Sequence, residues 1–304
     1  MTQTEGQAAS AINPRLGGLA LAGGIVGISM APIFVQLSDI GPTATAVWRM
    51  AFALPLLTLW MMLEDRDRPA TRRIRRLTAR DWGVIVLAGL LFTGDLVAWH
   101  SAIRLSGVAN ATFLGNLTPL IVTLGAWLFL KERITGGFMT GLAVAMAGAG
   151  LLFFSSASGA AGSVVGDALG VVTALFYGAY LFVIKILREK LPTGMIMALS
   201  AVFSAVGLFV AALISGESMI PPTLFGWAML VGIALVSQTG GQTLITLAFR
   251  HMPASLASTI MLANPVIAAF AGWAILGEAL GPLQGAACGV VLAGIAIAQR
   301  YGRR

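Results

Sequence analysis

Residues 102–132 read AIRLSGVANATFLGNLTPLIVTLGAWLFLKE, and residues 248–278 read AFRHMPASLASTIMLANPVIAAFAGWAILGE. At one fixed offset of 146 positions, Ala102, Arg104, Ala111, Pro119, Ile121, Trp127, Leu130 and Glu132 meet Ala248, Arg250, Ala257, Pro265, Ile267, Trp273, Leu276 and Glu278. The match resumes at Val144, Ala147 and Gly148, which fall on Val290, Ala293 and Gly294. Coincidences of Ala or Leu are cheap in an apolar chain. Arg, Pro, Trp and Glu recurring at one offset are not, so the two stretches mark an internal repeat.

Around these stretches the chain is apolar almost throughout. Of its 304 residues, 58% are hydrophobic and only 10% charged, against roughly 25% charged in an ordinary soluble domain. Mean hydropathy is +0.89. So few charges cannot cover the surface of a soluble fold of this length without apolar patches far above the usual few hundred Å². A disordered chain and a disulfide scaffold are excluded as well, the latter because Cys288 is the single cysteine. What remains is a polytopic helical membrane protein. A bilayer core of about 30 Å needs roughly 20 apolar residues per helix, and ten runs qualify: 16–38, 42–62, 82–103, 107–130, 136–155, 166–187, 193–215, 223–248, 254–276 and 281–299. The first run follows no basic cluster and is long, so it reads as a retained span and not as a cleaved leader. Backbone in lipid must satisfy its own hydrogen bonds, and the short alternating segments of a membrane barrel are absent, so each run is a helix.

Charge placement supports this count. If the N-terminus is cytoplasmic and the spans alternate, all but two of the 19 Lys and Arg residues fall on the cytoplasmic side; the exceptions are Arg104, outside, and Arg49, within a span. The positive-inside rule is obeyed nearly in full, with both termini cytoplasmic. The net charge of +7 therefore answers the anionic membrane surface, not nucleic acid, and the run Arg66 to Arg80 is a topology anchor. Each half, 16–155 and 166–299, carries five spans. Five is odd, so the second half enters the membrane upside down. Inverted repeats are a recurrent design of secondary transporters, with the site between the halves.

Four charged residues lie within the runs. Asp167 and Lys185 sit near helix ends, where they reach water or snorkel. Arg49 and Asp95 are deep, where a charge costs at least ~2.5–3.5 kcal/mol and normally faces the bundle interior or a wet cavity. Arg49 is read either as a site for a carboxylate or as a structural cap. Asp95 is read either as a proton carrier and amine-binding group or as a partner for Arg49. Trp99 shares a helix face with Asp95 and lines a pocket or sits in an interfacial belt; His100 is offset from it. Asn116 and Pro119 match the segment around Asn264 and Pro265, where each proline removes a backbone hydrogen bond and predicts a symmetry-related bend that opens or closes a gate. Tyr177, Tyr180, Gln238 and Gln242 are further interior polar candidates, against the alternative that they merely join helices. Gly137-x-x-x-Gly141 and Gly285-x-x-x-Gly289 predict close helix contacts within the chain or in a homodimer, leaving monomer and homodimer both open. No phosphate-cradling loop, zinc-protease motif or hydrolase nucleophile elbow is present, and His100 and His251 are too few and too distant for a metal site, so neither cofactor nor metal is expected. An intramembrane enzyme would need a nucleophile and base at depth, where only Asp95 and His100 are neighbours.

The chain resembles the drug/metabolite transporter superfamily, in its bacterial ten-span branch with two EamA-type repeats. The resemblance rests on Pro42 with Arg49 seven residues on, Ala109 to Pro119, Leu130-Lys131-Glu132-Arg133, Gly141 and Gly148, and, in the second half, Ala257 to Pro265, Leu276-Gly277-Glu278, Gly285 and Gly294. Met195 stands where the second half would carry the Arg. The resemblance implies an all-helical basket in which spans one to four and six to nine surround a central cavity and spans five and ten pack outside. It further implies a multi-pass exporter of the bacterial inner membrane, moving amino acids or similar small metabolites; the chain is similar to the aromatic amino acid exporter group. A multidrug or quaternary-amine exporter is the alternative within the superfamily.

Overall fold

The computed structural model describes residues 13–66, 77–156, 163–276 and 281–302, which are helical apart from short connections. The arginines of 68–76, Gly277 and Glu278 lie outside the described residues, as do the side chains of Arg104, Ala109 and Leu276. Ten helices are long and apolar enough to cross a membrane: α1 (Pro14–Leu37), α2 (Pro42–Arg66), α3 (Ala79–Ile103), α4 (Ala111–Leu130), α5 (Gly136–Ser155), α6 (Val164–Arg188), α7 (Thr193–Ser215), α8 (Leu224–His251), α9 (Ala254–Ile275) and α10 (Pro282–Tyr301). Local chemistry sets their ends. Thr78 and Asp81 form a reciprocal capping box at the start of α3, and Asn13 accepts from the first amides of α1. Lys131 closes α4 in a left-handed conformation at φ 55°. Gly216 does the same for α7 at φ 66°, where the missing Cβ removes the steric penalty.

Between α3 and α4 every residue from Ala79 to Gly115 has helical secondary structure, but the two spans are separate rods and the chain changes direction between Ser106 and Leu114. Gly94 lies against Phe176 of α6 and Ser106 against Gly166; Leu114 then meets Gly170 and Ile121 meets Gly178. Contacts therefore run up α6 and back down it. The sequence separates the runs 82–103 and 107–130 here by span length and the polar Arg104 and Ser106, since the turn contains no proline.

Symmetry equivalents run antiparallel, as an inverted repeat requires. In the α2–α7 pair, the Glu64 carboxylate at the end of α2 accepts from Gly194 N at the start of α7, at 2.7 Å. Glu217, just beyond α7, accepts from Ala44 N at the start of α2, at 2.8 Å. Each helix thus supplies an acid to the positive end of the other, satisfying an orphan amide and complementing the macrodipole. The α5–α10 pair packs on small residues. An added Cβ at Gly141 would meet Ala298 N at 2.3 Å, and one at Gly294 would meet Ala145 N at 2.2 Å. This outer pair shares an apolar core with α9, in which Phe138, Leu142 and Ala145 and Val291 and Ile295 are joined by Leu256, Leu262 and Val266; Ile260 and Ala263 link it to the main core of α1–α4 and α6–α9.

One expectation is corrected for contacts within the chain, while a homodimer contact through Gly285 and Gly289 stays open. Gly137 and Gly141 form the tight seam against α10, but Gly285 and Gly289 are exposed and have nothing within 4 Å of an added Cβ. Gly294, which matches Gly148 in the repeat, takes the close contact on α10. Pro14 and Gly302 line one groove, so α1 begins and α10 ends on the same face, called here the terminal face.

The seam gives a direct contrast. Gly294→Val inserts two methyls and a Cβ into backbone contact and is expected to destabilise by roughly 1–3 kcal/mol, whereas Gly285→Val is expected to unfold within a degree or two of wild type. Thermal unfolding of the two purified variants in detergent checks this; equal losses would place both glycines on packed surfaces.

Candidate functional site

Four of the ten spans are interrupted near mid-membrane, and the interruptions converge. The α1 helix stops at Ser29 and restarts at Ala31, with Pro32 in the first turn. In α4 the helix ends at Gly115, turns through Asn116 and Leu117, and restarts at Thr118 with Pro119 second. In α9 it ends at Ile260, turns through Met261 and Leu262, and restarts at Ala263 ahead of Asn264 and Pro265. A proline lacks the N–H that a continuing helix needs but suits a first turn. The two symmetry-related prolines therefore sit just inside new helical segments and not at mid-helix kinks. In α8 the segment Ile233–Gln242 is wound as a π-helix, which changes the face presented by each following residue; such windings are frequent at functional sites.

These interruptions enclose a cavity of about 140 Å³. Its walls come from α1–α4, α6, α8 and α9, and include Arg49, Asp95, Trp99, Asn116, Pro119, Tyr177, Gln242 and Asn264. None comes from α5 or α10. Most of the lining lies in the halves of the helices remote from the terminal face. Gln238 and Tyr180 stand directly behind the wall, and Pro265 does not line it.

The two halves of the chain meet here through polar groups. Arg49, only 6% exposed, donates from Nε to Gln238 Oε1 at 2.9 Å, and its guanidinium lies 5.7 Å from the Phe92 ring centroid. Tyr177 donates to Gln242 Oε1 at 3.2 Å, and Gln242 Nε2 points at Tyr180 Oη at 3.5 Å. Tyr180 stacks on Phe92 with centroids 4.8 Å apart. Ser29 Oγ lies 2.7 Å from both Ile25 O and Asn264 Oδ1, which ties the α1 break to the α9 break. Asp95 is 7% exposed and lines the cavity with no hydrogen bond or ion pair among the described residues. The alternative in which Asp95 simply neutralises Arg49 at ion-pair distance is not what the geometry shows. His100 is buried beside Trp99, with ring centroids 5.2 Å apart, and is not in the lining.

Sequence inspection passes over several wall residues. Thr112 and Thr173 face the cavity, and their buried hydroxyl oxygens have no hydrogen-bond partner. The usable signal is spacing: Thr112, Asn116 and Pro119 share one face of α4, and Thr173, Tyr177 and Tyr180 one face of α6. A threonine in a membrane helix ordinarily bonds its own backbone, so alone it carries little weight.

Toward the terminal face the cavity is closed. Tyr180, Leu181, Ile184 and Met195 are fully buried there, and the α8–α9 turn is held from both sides. Glu132, at the end of α4, accepts from Ala254 N at 2.8 Å and from Ser255 N at 3.2 Å and Oγ at 2.5 Å. Lys185 donates to Phe249 O at 2.8 Å and Met252 O at 3.0 Å. An acid thus meets the positive end of α9 and an ammonium the negative end of α8. Lys185 is a cap within the protein, where snorkelling to water was expected. Among the described residues no group of three or more His, Cys, Asp and Glu is placed to hold a metal ion.

Comparison with known proteins bears on this architecture. The chain matches the EamA-like transporter family twice, over residues 15–154 and 164–299. It is 30% identical over 198 residues to the pseudopaline exporter CntI of Pseudomonas aeruginosa, spanning 64% of this chain and 67% of that one. It is 25% identical over 223 residues to the uncharacterized transporter YwfM of Bacillus subtilis, spanning 71% and 73% of the two chains. A protein of known crystal structure shares the fold with a TM-score of 0.80 over 95% of this chain and 98% of that one, at 17% identity.

The Arg49–Gln238 bond bridges the halves and is testable by itself. Gln238→Leu strands a buried guanidinium donor and is expected to cost roughly 1.5–3 kcal/mol. Arg49→Met with Gln238→Leu is expected to recover part of that loss, giving a coupling of at least about 1 kcal/mol in a double-mutant cycle followed by denaturant unfolding. Additive losses would mean that the bond contributes nothing across the interface.

Proposed function

Because the chain belongs to the EamA-like transporter family, we propose that it exports amino acids, aromatic ones among them, or similar small metabolites by alternating access around the cavity of Arg49 and Asp95. That it is a multi-pass membrane transporter follows from the family and the ten spans; substrate, direction and energy source are the proposal. The observation that carries it is the pairing of an unpartnered Asp95 carboxylate and a buried Arg49 guanidinium in one aromatic-walled chamber. A zwitterion answers both charges: its ammonium to Asp95, its carboxylate to the guanidinium nitrogens of Arg49 not used by Gln238. Trp99 and Tyr177 offer ring faces to a planar side chain, and the hydroxyls of Thr112 and Thr173 have hydrogen bonds to give.

Transport requires the chamber to open to each side in turn. The interruptions of α4 and α9 at inverted-equivalent positions supply two hinges, and Glu132 with Lys185 holds the terminal side shut in the conformation described. In the cell we assign the terminal face to the cytoplasm of the inner membrane, from the concentration of Lys and Arg on its loops. Asp95 is the proton carrier in this scheme. A lipophilic cation would also suit Asp95 and the rings, but it would leave the Arg49 charge opposed.

Radiolabelled amino acids in proteoliposomes test the proposal. Flux above empty vesicles is expected for at least one, driven by a pH step, and Asp95→Asn is expected to abolish that drive while sparing counterflow. Arg49→Gln is expected to raise KM at least roughly tenfold through loss of a charged hydrogen bond. No flux for any of the twenty, alongside transport of quaternary amines, would overturn it in favour of a multidrug exporter.

A further inference from the structure

A second void, larger than the central chamber, lies elsewhere in the fold. A groove of about 1130 Å³ opens on the terminal face between α1, α5, the start of α9 and the end of α10. Phe138 and Leu256 are buried in its wall, Ile260 is partly buried and Leu19 is exposed on it, and Arg15 and Arg133 also line it. Both arginines are exposed, and among the described residues neither side chain makes a hydrogen bond or ion pair. The carboxylate beside them, Glu132, is turned to the N-terminal amides of α9 and Ser255 Oγ and makes no ion pair with either arginine among the described residues. The groove therefore combines two uncompensated guanidinium groups with an apolar cleft at the edge of the bilayer.

A free anion would satisfy the arginines and leave the cleft wet. An apolar chain alone would fill the cleft and leave the charges unanswered. We propose that the groove is a binding site for an anionic phospholipid of the surrounding bilayer, its phosphate held by Arg15 and Arg133 and one acyl chain lying along Leu19, Phe138, Leu256 and Ile260. Guanidinium forks match phosphate oxygens in pairs, and basic pockets between membrane helices are suited to anionic headgroups. Lys131 lies two residues before Arg133 but is not part of the groove, so bulk attraction to the surface and binding in the groove are separable. The site depends on the membrane fold alone and stands whatever the central chamber carries.

Delipidated full-length protein is titrated with dioleoyl-phosphatidylglycerol, dioleoyl-phosphatidylcholine or inorganic phosphate and followed by native mass spectrometry and thermal shift. Phosphatidylglycerol is expected to bind at least roughly tenfold tighter than phosphatidylcholine, whose quaternary ammonium cancels the phosphate charge and is repelled by the two guanidinium groups, and to raise the unfolding temperature. Arg15→Gln with Arg133→Gln is expected to abolish that preference, whereas Lys131→Gln leaves it unchanged. Equal binding of both lipids, retention of the preference in the double variant, or an equal loss in Lys131→Gln would overturn the proposal. So would the same stabilisation by inorganic phosphate, which would make this a free-anion site, or lipid binding that appears only after residues 2–12 are removed, which would give the groove to the N-terminal segment.

Discussion

A charge in hydrocarbon has to be answered by another polar group or by water, and this constraint organises the interior. Arg49 enters from the first half of the chain and finds its acceptor, Gln238, in the second. Asp95 makes no hydrogen bond or ion pair among the described residues and faces a cavity, within reach of the Arg49 charge. Neither residue has a like-for-like counterpart in the repeat, where Met195 and Gly241 occupy the offset positions. The scaffold is duplicated but the chemistry is not. A symmetric frame allows two arrangements of similar energy, and an asymmetric polar set lets one chamber recognise one ligand.

The same constraint acts on helix ends. Each exposes unpaired amides or carbonyls, and here acids meet the amides across the inverted repeat: Glu64 to α7, Glu217 to α2, Glu132 to α9. Antiparallel neighbours bring the tail of one helix beside the head of another, so an acid just past a C-terminus is already in place to cap its partner. This gives a physical reason for a glutamate in the Leu130-Lys131-Glu132 segment, and Lys185 completes the arrangement by capping the carbonyls at the end of α8. Helix contacts of this kind are made at ends and can be broken there while the middles stay packed, as a gate demands.

Much of this was legible in the sequence. Ten runs, the offset repeat and the charge asymmetry lead to the ten spans and the inverted halves, because bilayer thickness and topology act directly on composition. Arg49 and Asp95 stood out through the energy of burying a charge, and both line the chamber. The four-residue spacing of Gln238 and Gln242 implied one face, and the two join one polar cluster, Gln238 on Arg49 and Gln242 on Tyr177 and in the cavity wall. Gly285 and Gly289 had the pattern of a packing motif and are bare, because spacing cannot say which face of α10 turns inward. The contributions of Thr112, Thr173 and Phe92 depend on what lies opposite them, and Glu132 was visible as a repeated residue without its partner being visible.

The central claim is that one aqueous chamber is built jointly by the two halves. Asn116→Cys in the first half and Asn264→Cys in the second, each with Cys288→Ala, place a thiol on partly exposed wall positions of the two halves; Leu213→Cys, at a position 63% exposed on the outer surface, is the lipid-facing control. Labelling by a water-soluble maleimide in proteoliposomes is the measurement. The account predicts that both wall positions react well above the control and that one transported ligand slows both together. Reaction no faster than at Leu213→Cys, or a ligand that shields one wall and not the other, would contradict it.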